Sequence, residues 1–275
     1  MYKRFYSSNR TSQAMQLNEA CMELDRVELT QSSVQPRCLV TLTDQSGMGA
    51  GRFRALAIRL RNFQKRQQLK KLLVTSSVKG EGKSIVSANL AVALGQGQRT
   101  LLIDCDLHQS GLRDVLGIHG QAGLADWWKR SDPLMSFLRR MDGMSLWYLS
   151  TGHVTEPPLE ILQSQRFSEM IHQISRWFDW VILDSPPLLP VPDSSLLAAQ
   201  TDGALLIVRR ASTPKPLLKE ALKTENLKLL GIVANAWQSS NQRYYTEYYK
   251  GRNANRDVSP SDSRSLPGKV ETAAA

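Results

Sequence analysis

The stretch Ser76-Ser77-Val78-Lys79-Gly80-Glu81-Gly82-Lys83-Ser84, SSVKGEGKS, closes the apolar run KLLVTS and opens the run SIVSANLAVALG. The first run has the length of a buried strand and the second the pattern of a helix. Gly80 and Gly82 let the connecting turn curl so that its N–H groups point inward, and the helix that follows adds the positive end of its dipole. Such a turn cradles phosphate oxygens. Lys83 can then reach the β- and γ-phosphates of a nucleotide, and the Ser84 hydroxyl can reach Mg²⁺. The strict phosphate-loop pattern wants glycine where this chain has Ser77, so the regular expression fails by one residue. An ordinary glycine-rich turn would not require a Lys-Ser pair at the start of a helix after a buried strand.

Outward from the loop, TLLIDCD, SLWYLS, WVILDS, ALLIVRR and LKLLGIVAN are further runs of strand length, separated by helical patterns. Strands apolar throughout and alternating with helices indicate a mostly parallel sheet covered on both faces, an α/β doubly wound P-loop NTPase. The interval from Gly111 to Met144 reads as helical, with LADWWKR and PLMSFLRRM as amphipathic pieces. Residues 1–48, rich in Ser, Thr and Gln with one strand-like CLVTLT, read as a weakly ordered leader to a domain over 49–240. Residues 241–275 are polar, lack periodicity and read as a disordered tail. That tail opens with NQRYYTEYYKGRN, in which Tyr244, Tyr245, Tyr248 and Tyr249 have no apolar rhythm around them. Their rings are displayed rather than packed.

A chain of 275 residues with 41% hydrophobic content can bury one sizeable core plus tails. Cys21, Cys38 and Cys105 make an odd count without metal-ligand or CxxC spacing, which fits a reducing compartment. The basic start MYKRFYSSNR is followed by no apolar run, which argues against a secretory signal. No apolar stretch approaches the roughly 20 residues of a membrane-spanning helix, so a cytoplasmic protein is expected. The net charge of +10 invites a nucleic-acid reading. Its distribution argues otherwise, because much of the excess lies in GRFRALAIRLRNFQKRQQLKK, where Phe53, Leu56, Leu60 and Phe63 fall at helical spacing. This is a basic amphipathic helix, either a solvated face or a docking face for an acidic partner or an anionic membrane surface.

LLIDCDLH ends a strand in two carboxylates. The two-residue side-chain period puts Asp104 and Asp106 on one face and sends Cys105 to the core. WVILDSPP delivers Asp184 to the same edge, and in open parallel sheets the C-terminal strand ends form the ligand crevice. Each aspartate alone reads as a cap or turn residue. Three of them beside a phosphate loop read as a site.

Together these motifs resemble the bacterial tyrosine kinases, the cytoplasmic tyrosine autokinases of capsular and exopolysaccharide biosynthesis. SSVKGEGKS resembles their phosphate loop, LLIDCDLH their second aspartate motif, VILDSPPLLPVPDSSLLAAQTDGALLIVRR their third, and the tail their tyrosine cluster, over residues 49–249. The resemblance implies a fold related to partition ATPases and ATP-dependent transfer of the γ-phosphoryl group, in trans, to Tyr244, Tyr245, Tyr248 and Tyr249. Val78, Lys79, Gly80, Glu81, Gly82, Lys83 and Ser84 would cradle the phosphates. Ser84, Asp106 and Asp184 would hold Mg²⁺, and Asp104 would accept the tyrosine proton, with the roles of Asp104 and Asp106 exchangeable. Asn235 would contact adenine, or else serve only as a turn residue. A separate membrane-bound activator, a polysaccharide co-polymerase, is implied as partner. The chain departs from the family pattern with Lys79 for proline and His108 for arginine. Of the glutamate and two arginines of the family's ring-assembly helix it keeps only Arg54, with Gly51 and Ala57 at the other two positions, so self-association weaker than a closed ring is expected. The alternative is a partition-type ATPase switch without kinase activity, with the tail as a docking peptide. Its signature lysine would fall at Val78, one residue before Lys79.

Overall fold

The computed structural model describes residues 23–24, 27–30, 38–189, 191–210 and 212–236. The tyrosine cluster and the tail behind it lie outside the described residues. The strands are β1 Leu29–Thr30, β2 Lys71–Ser76, β3 Thr100–Asp104, β4 Arg139–Met141, β5 Leu146–Leu149, β6 Trp180–Asp184, β7 Gly203–Arg209 and β8 Leu229–Asn235. The helices are α1 Val40–Thr43, α2 Met48–Arg66, α3 Lys83–Gly95, α4 Leu112–Leu116, α5 Leu124–Lys129, α6 Pro158–Leu162, α7 Gln165–Ile174, α8 Asp193–Ala199 and α9 Lys215–Ala221, with a 3₁₀ turn at Leu134–Phe137.

The strands form one sheet in the order β1-β4-β5-β3-β6-β2-β7-β8. All pairs are parallel except β4 with β5. The central strands β3 and β6 are buried throughout, as their unbroken apolar runs require, and they separate two large cores on opposite faces. On one face α3 is buried almost completely, because α2 packs against it. Arg61 of α2 secures the far end of α3 by donating to the carbonyls of Ala93 and Leu94 and to Gln98. A cation at a helix C-terminus satisfies carbonyls that the helix cannot.

Three local expectations are corrected. CLVTLT is not a strand, since Val40–Thr43 is a helical turn. The cause is tertiary: the Thr41 amide and hydroxyl both donate to Asn89 Oδ1, and Asn89 Nδ2 returns a bond to the Cys38 carbonyl. PLMSFLRRM is a 3₁₀ turn followed by β4 rather than an amphipathic helix. Phe63, placed with the apolar stripe of α2, is 41% exposed, whereas Leu60 is buried.

Candidate functional site

The C-terminal ends of β2, β3, β6, β7 and β8 converge on a cleft of about 670 Å³. The phosphate loop forms one wall. Gly80 and Gly82 adopt φ of +87° and +88°, a region that side chains disfavour, and Gly82 caps α3. A Cβ on Gly82 would stand 2.1 Å from Asn235 Nδ2, so strain and space exclude a side chain together. The loop is held from outside by the ends of β7 and β8. Asn235 Nδ2 donates to the Glu81 carbonyl at 2.9 Å, and Arg209 donates to the Gly80 carbonyl. The Glu81 carboxylate is buried, accepting from the Val78 amide and from the Thr213 hydroxyl.

Lys83 Nζ lies 3.0 Å from Asp106 Oδ2, with both side chains nearly buried. Asp106 lines the cleft and its Oδ1 accepts from the Gln109 amide. Asp104 does not line it. β3 ends at Asp104, so the strand period used to align the two acids stops two residues before Asp106 and does not place it. Asp104 sits fully buried behind, paired in register with Asp184, and accepts from the Ser110 hydroxyl and the Asp106 amide. Burial first, then the charge of Asp184, pushes the Asp104 carboxyl up to about 8. Burial also raises Asp184, to about 6, against the opposing pull of the Lys83 charge and the Ser84 and Ser87 hydroxyls.

Asp184 Oδ1 accepts from Ser87 at 2.8 Å, while its buried Oδ2 has no hydrogen-bond partner, Ser84 being near without completing a bond. A buried carboxylate oxygen left unpaired beside a serine hydroxyl fits a hard cation that takes oxygen ligands and keeps several waters. Gly111 makes room here, since a Cβ at that position would come within 2.7 Å of Ser84 Oγ.

Lys79, Gly80, Gly82, Lys83, Ser84, Asp106 and Asn235 line the cleft, whereas Val78, Glu81, Asp104 and Asp184 form its supporting layer. Asn235 spends its amide on the loop and its Oδ1 on the Ala236 amide. Sequence reasoning missed Ser87, Ser110, Arg209 and Thr213. The serines lie within a turn of motif residues and could have been suspected, but nothing local ties Thr213 to a loop 132 residues away. His108, which stands where the family pattern has arginine, is bound to Asp193 at 2.7 Å at the start of α8. Cys105 is buried in the core as expected.

Residues 72–259 match the model of the CobQ/CobB/MinD/ParA nucleotide binding domain. The chain is 29% identical over 216 residues to the tyrosine-protein kinase YwqD of Bacillus subtilis, covering 77% of this chain and 91% of that one. It is 32% identical over 186 residues to the tyrosine-protein kinase CpsD of Streptococcus agalactiae, covering 65% and 81%. Other relatives are longer, and the chain spans about a quarter of their length. Among solved structures, the VpsO kinase domain superposes with a TM-score of 0.60 at 31% identity, over 63% of this chain and 87% of that one. Phosphate loop, aspartate-lined cleft and parallel sheet agree with these likenesses, and the chain belongs to the bacterial tyrosine-kinase family, built on the CobQ/CobB/MinD/ParA nucleotide-binding fold.

Proposed function

We propose that this chain transfers the γ-phosphoryl group of ATP to the hydroxyls of Tyr244, Tyr245, Tyr248 and Tyr249 on a neighbouring copy of itself. The observation that carries the reading is the Lys83–Asp106 contact, which brings a phosphate-loop ammonium and a strand-tip carboxylate to one cleft. Phosphoryl transfer asks for positioning and charge neutralisation. Loop amides from Val78 to Ser84 bind the phosphates and Lys83 neutralises the transferred group. Ser84, Asp106 and Asp184 hold Mg²⁺, which supplies further neutralisation when bound. The tyrosine proton passes to Asp106, the member of the Asp104–Asp106 pair that faces the cleft. Asn235 supports the loop from the adenine side. Domain limits of 1–48, 49–240 and 241–275 go with this reading, with the last segment as substrate.

Among the described residues no helix is long and apolar enough to cross a membrane. In this reading a separate membrane-bound activator recruits the kinase to the cytoplasmic face of the plasma membrane, and phosphorylation regulates capsular or exopolysaccharide export. Each phosphotyrosine adds about −1.5 to −2 charges, so a modified tail is repelled from the aspartate-lined cleft and released.

The test mixes a Lys83→Met chain with a chain whose four tyrosines are all phenylalanine. ATP, Mg²⁺ and, where needed, an activator peptide are added, and phosphates are mapped by mass spectrometry. Label on the Lys83→Met tail is expected. ADP release with no mass gain, in wild type as in the mixture, would favour the switch reading, and wild-type label outside the cluster would remove the tail as substrate.

A further inference from the structure

Positive charge is concentrated on a surface helix that the nucleotide cleft does not use. α2 carries Arg52, Arg54, Arg59, Arg61, Lys65 and Arg66 with no acidic residue. Packing sorts them. Ala50, Ala57 and Leu60 turn inward, Arg61 is taken up by the end of α3, and Arg54 donates to the Gln45 carbonyl. Burial of Ala57 also removes that position from any intersubunit contact on this helix.

The opposite face is made by Ile58, Arg59, Asn62, Phe63 and Arg66, spaced i, i+1, i+4, i+5 and i+8, with Lys65 beside them. All six are exposed, including two large apolar side chains, Ile58 at 55% and Phe63 at 41%. Arg59, Lys65 and Arg66 form no ion pair among the described residues.

We propose that this face of α2 docks the protein on an anionic phospholipid surface. The chemistry matches an interface between headgroups and acyl chains, where cations meet lipid phosphates while an aliphatic and an aromatic side chain between them leave water. The core side of α2 is already committed to α3, so the helix rests on the surface as part of the fold and does not insert by itself. A second copy presenting the same face would set cation against cation, and like charges in juxtaposition oppose association. An acidic protein surface would satisfy the arginines but offers no general reason for Ile58 and Phe63 to stand among them. The docking does not depend on catalytic activity.

The experiment sediments the full chain with vesicles of phosphatidylglycerol and phosphatidylcholine, and separately with phosphatidylcholine alone. Binding to the anionic vesicles only, weakening as salt rises, is expected. Each neutralised cation should cost about fivefold, so Arg59→Gln/Lys65→Gln/Arg66→Gln should lose roughly a hundredfold in affinity. Ile58→Ser/Phe63→Ser should lose about tenfold with an unchanged salt dependence. The control Lys215→Gln/Lys219→Gln/Lys223→Gln, at exposed positions around α9, removes equal charge and should bind as wild type. Equal loss in the control would reduce the effect to general charge attraction and overturn the proposal. So would undiminished vesicle binding by the α2 triple variant. Should light scattering show that variant altering oligomer size while vesicle binding stays unchanged, the face is a protein contact instead.

Discussion

Lys83 Nζ and Asp106 Oδ2 stand 3.0 Å apart, joining the first turn of α3 to the loop after β3 in a nearly buried ion pair. Each charge offsets the cost of burying the other, because an unpaired ion in such surroundings is strongly disfavoured. The pair therefore links catalysis to stability.

Lys83→Met should abolish tyrosine labelling and also destabilise the fold by about 2 kcal/mol, short of the ~3–5 kcal/mol of a fully enclosed pair because the cleft admits water. Lys83→Met/Asp106→Asn should regain most of that stability and none of the labelling. Urea unfolding and intact mass after incubation with ATP separate the two effects. A double variant as unstable as the single one would contradict the charge argument.

Asp104 makes stability depend on pH. Its folded pKa of about 8 lies above the ordinary 3.8, so between these values the folded state holds a proton that the unfolded state has lost. This contribution is complete below about pH 4 and declines as pH rises towards 8, by up to ~1.4 kcal/mol per unit. Asp184, raised to about 6, acts in the same sense over the lower part of that range. Asp104→Asn should flatten the profile measured by urea unfolding in EDTA from pH 5 to 8. An unchanged slope would assign it to other groups.

Gly82→Ala should impair the phosphate loop twice over. Alanine disfavours φ of +88°, and its methyl would meet the Asn235 amide. A stability loss of about 1–3 kcal/mol is expected, with nucleotide affinity at least tenfold weaker by fluorescence titration. Asn235→Ala alone should cost less. Gly82→Ala/Asn235→Ala should not recover wild-type affinity, since removing the clash leaves the backbone strain.

Far from the cleft, Asp126 caps α5. Its carboxylate accepts from the Gly123 amide, the His153 amide and His153 Nδ1. Burial works to raise this pKa, but the combined hydrogen bonds hold it below the ordinary 3.8. The stabilisation is therefore present above about pH 4 and lost as acid protonates the folded state. Asp126→Ala should cost about 1–2 kcal/mol at pH 7. Thermal melts from pH 5 to 3 should find wild type losing this advantage and the variant nearly insensitive to it.

Much of the fold is readable from local pattern. The apolar runs at 71–76, 100–104, 180–184 and 203–209 became neighbouring strands because a strand buried on both faces is apolar through its middle and keeps polar residues to its ends, so its position shows in composition. CLVTLT misled because β-branched residues favour a strand only where a sheet receives them. Here Asn89, 48 residues away from Thr41, supplies hydrogen bonds that hold a helical turn. Phe63 misled because helical spacing marks a stripe without marking how wide a face the neighbouring helix covers, and Leu60 falls inside that face while Phe63 falls outside it.

By itself the sequence determined which chemical groups are available: a glycine turn with lysine and serine at a helix start, three aspartates at strand ends, and a cluster of tyrosines. Their spacing along single elements carries that information, since strand and helix periods are local properties of the backbone. Only the tertiary structure decided that Asp106 faces the cleft while Asp104 lies behind it, and that Asn235 and Thr213 brace a loop more than a hundred residues away. It also decided which arginines of α2 serve the fold and which face solvent. These outcomes depend on how separate elements pack together, and no periodicity within one element encodes the position of another.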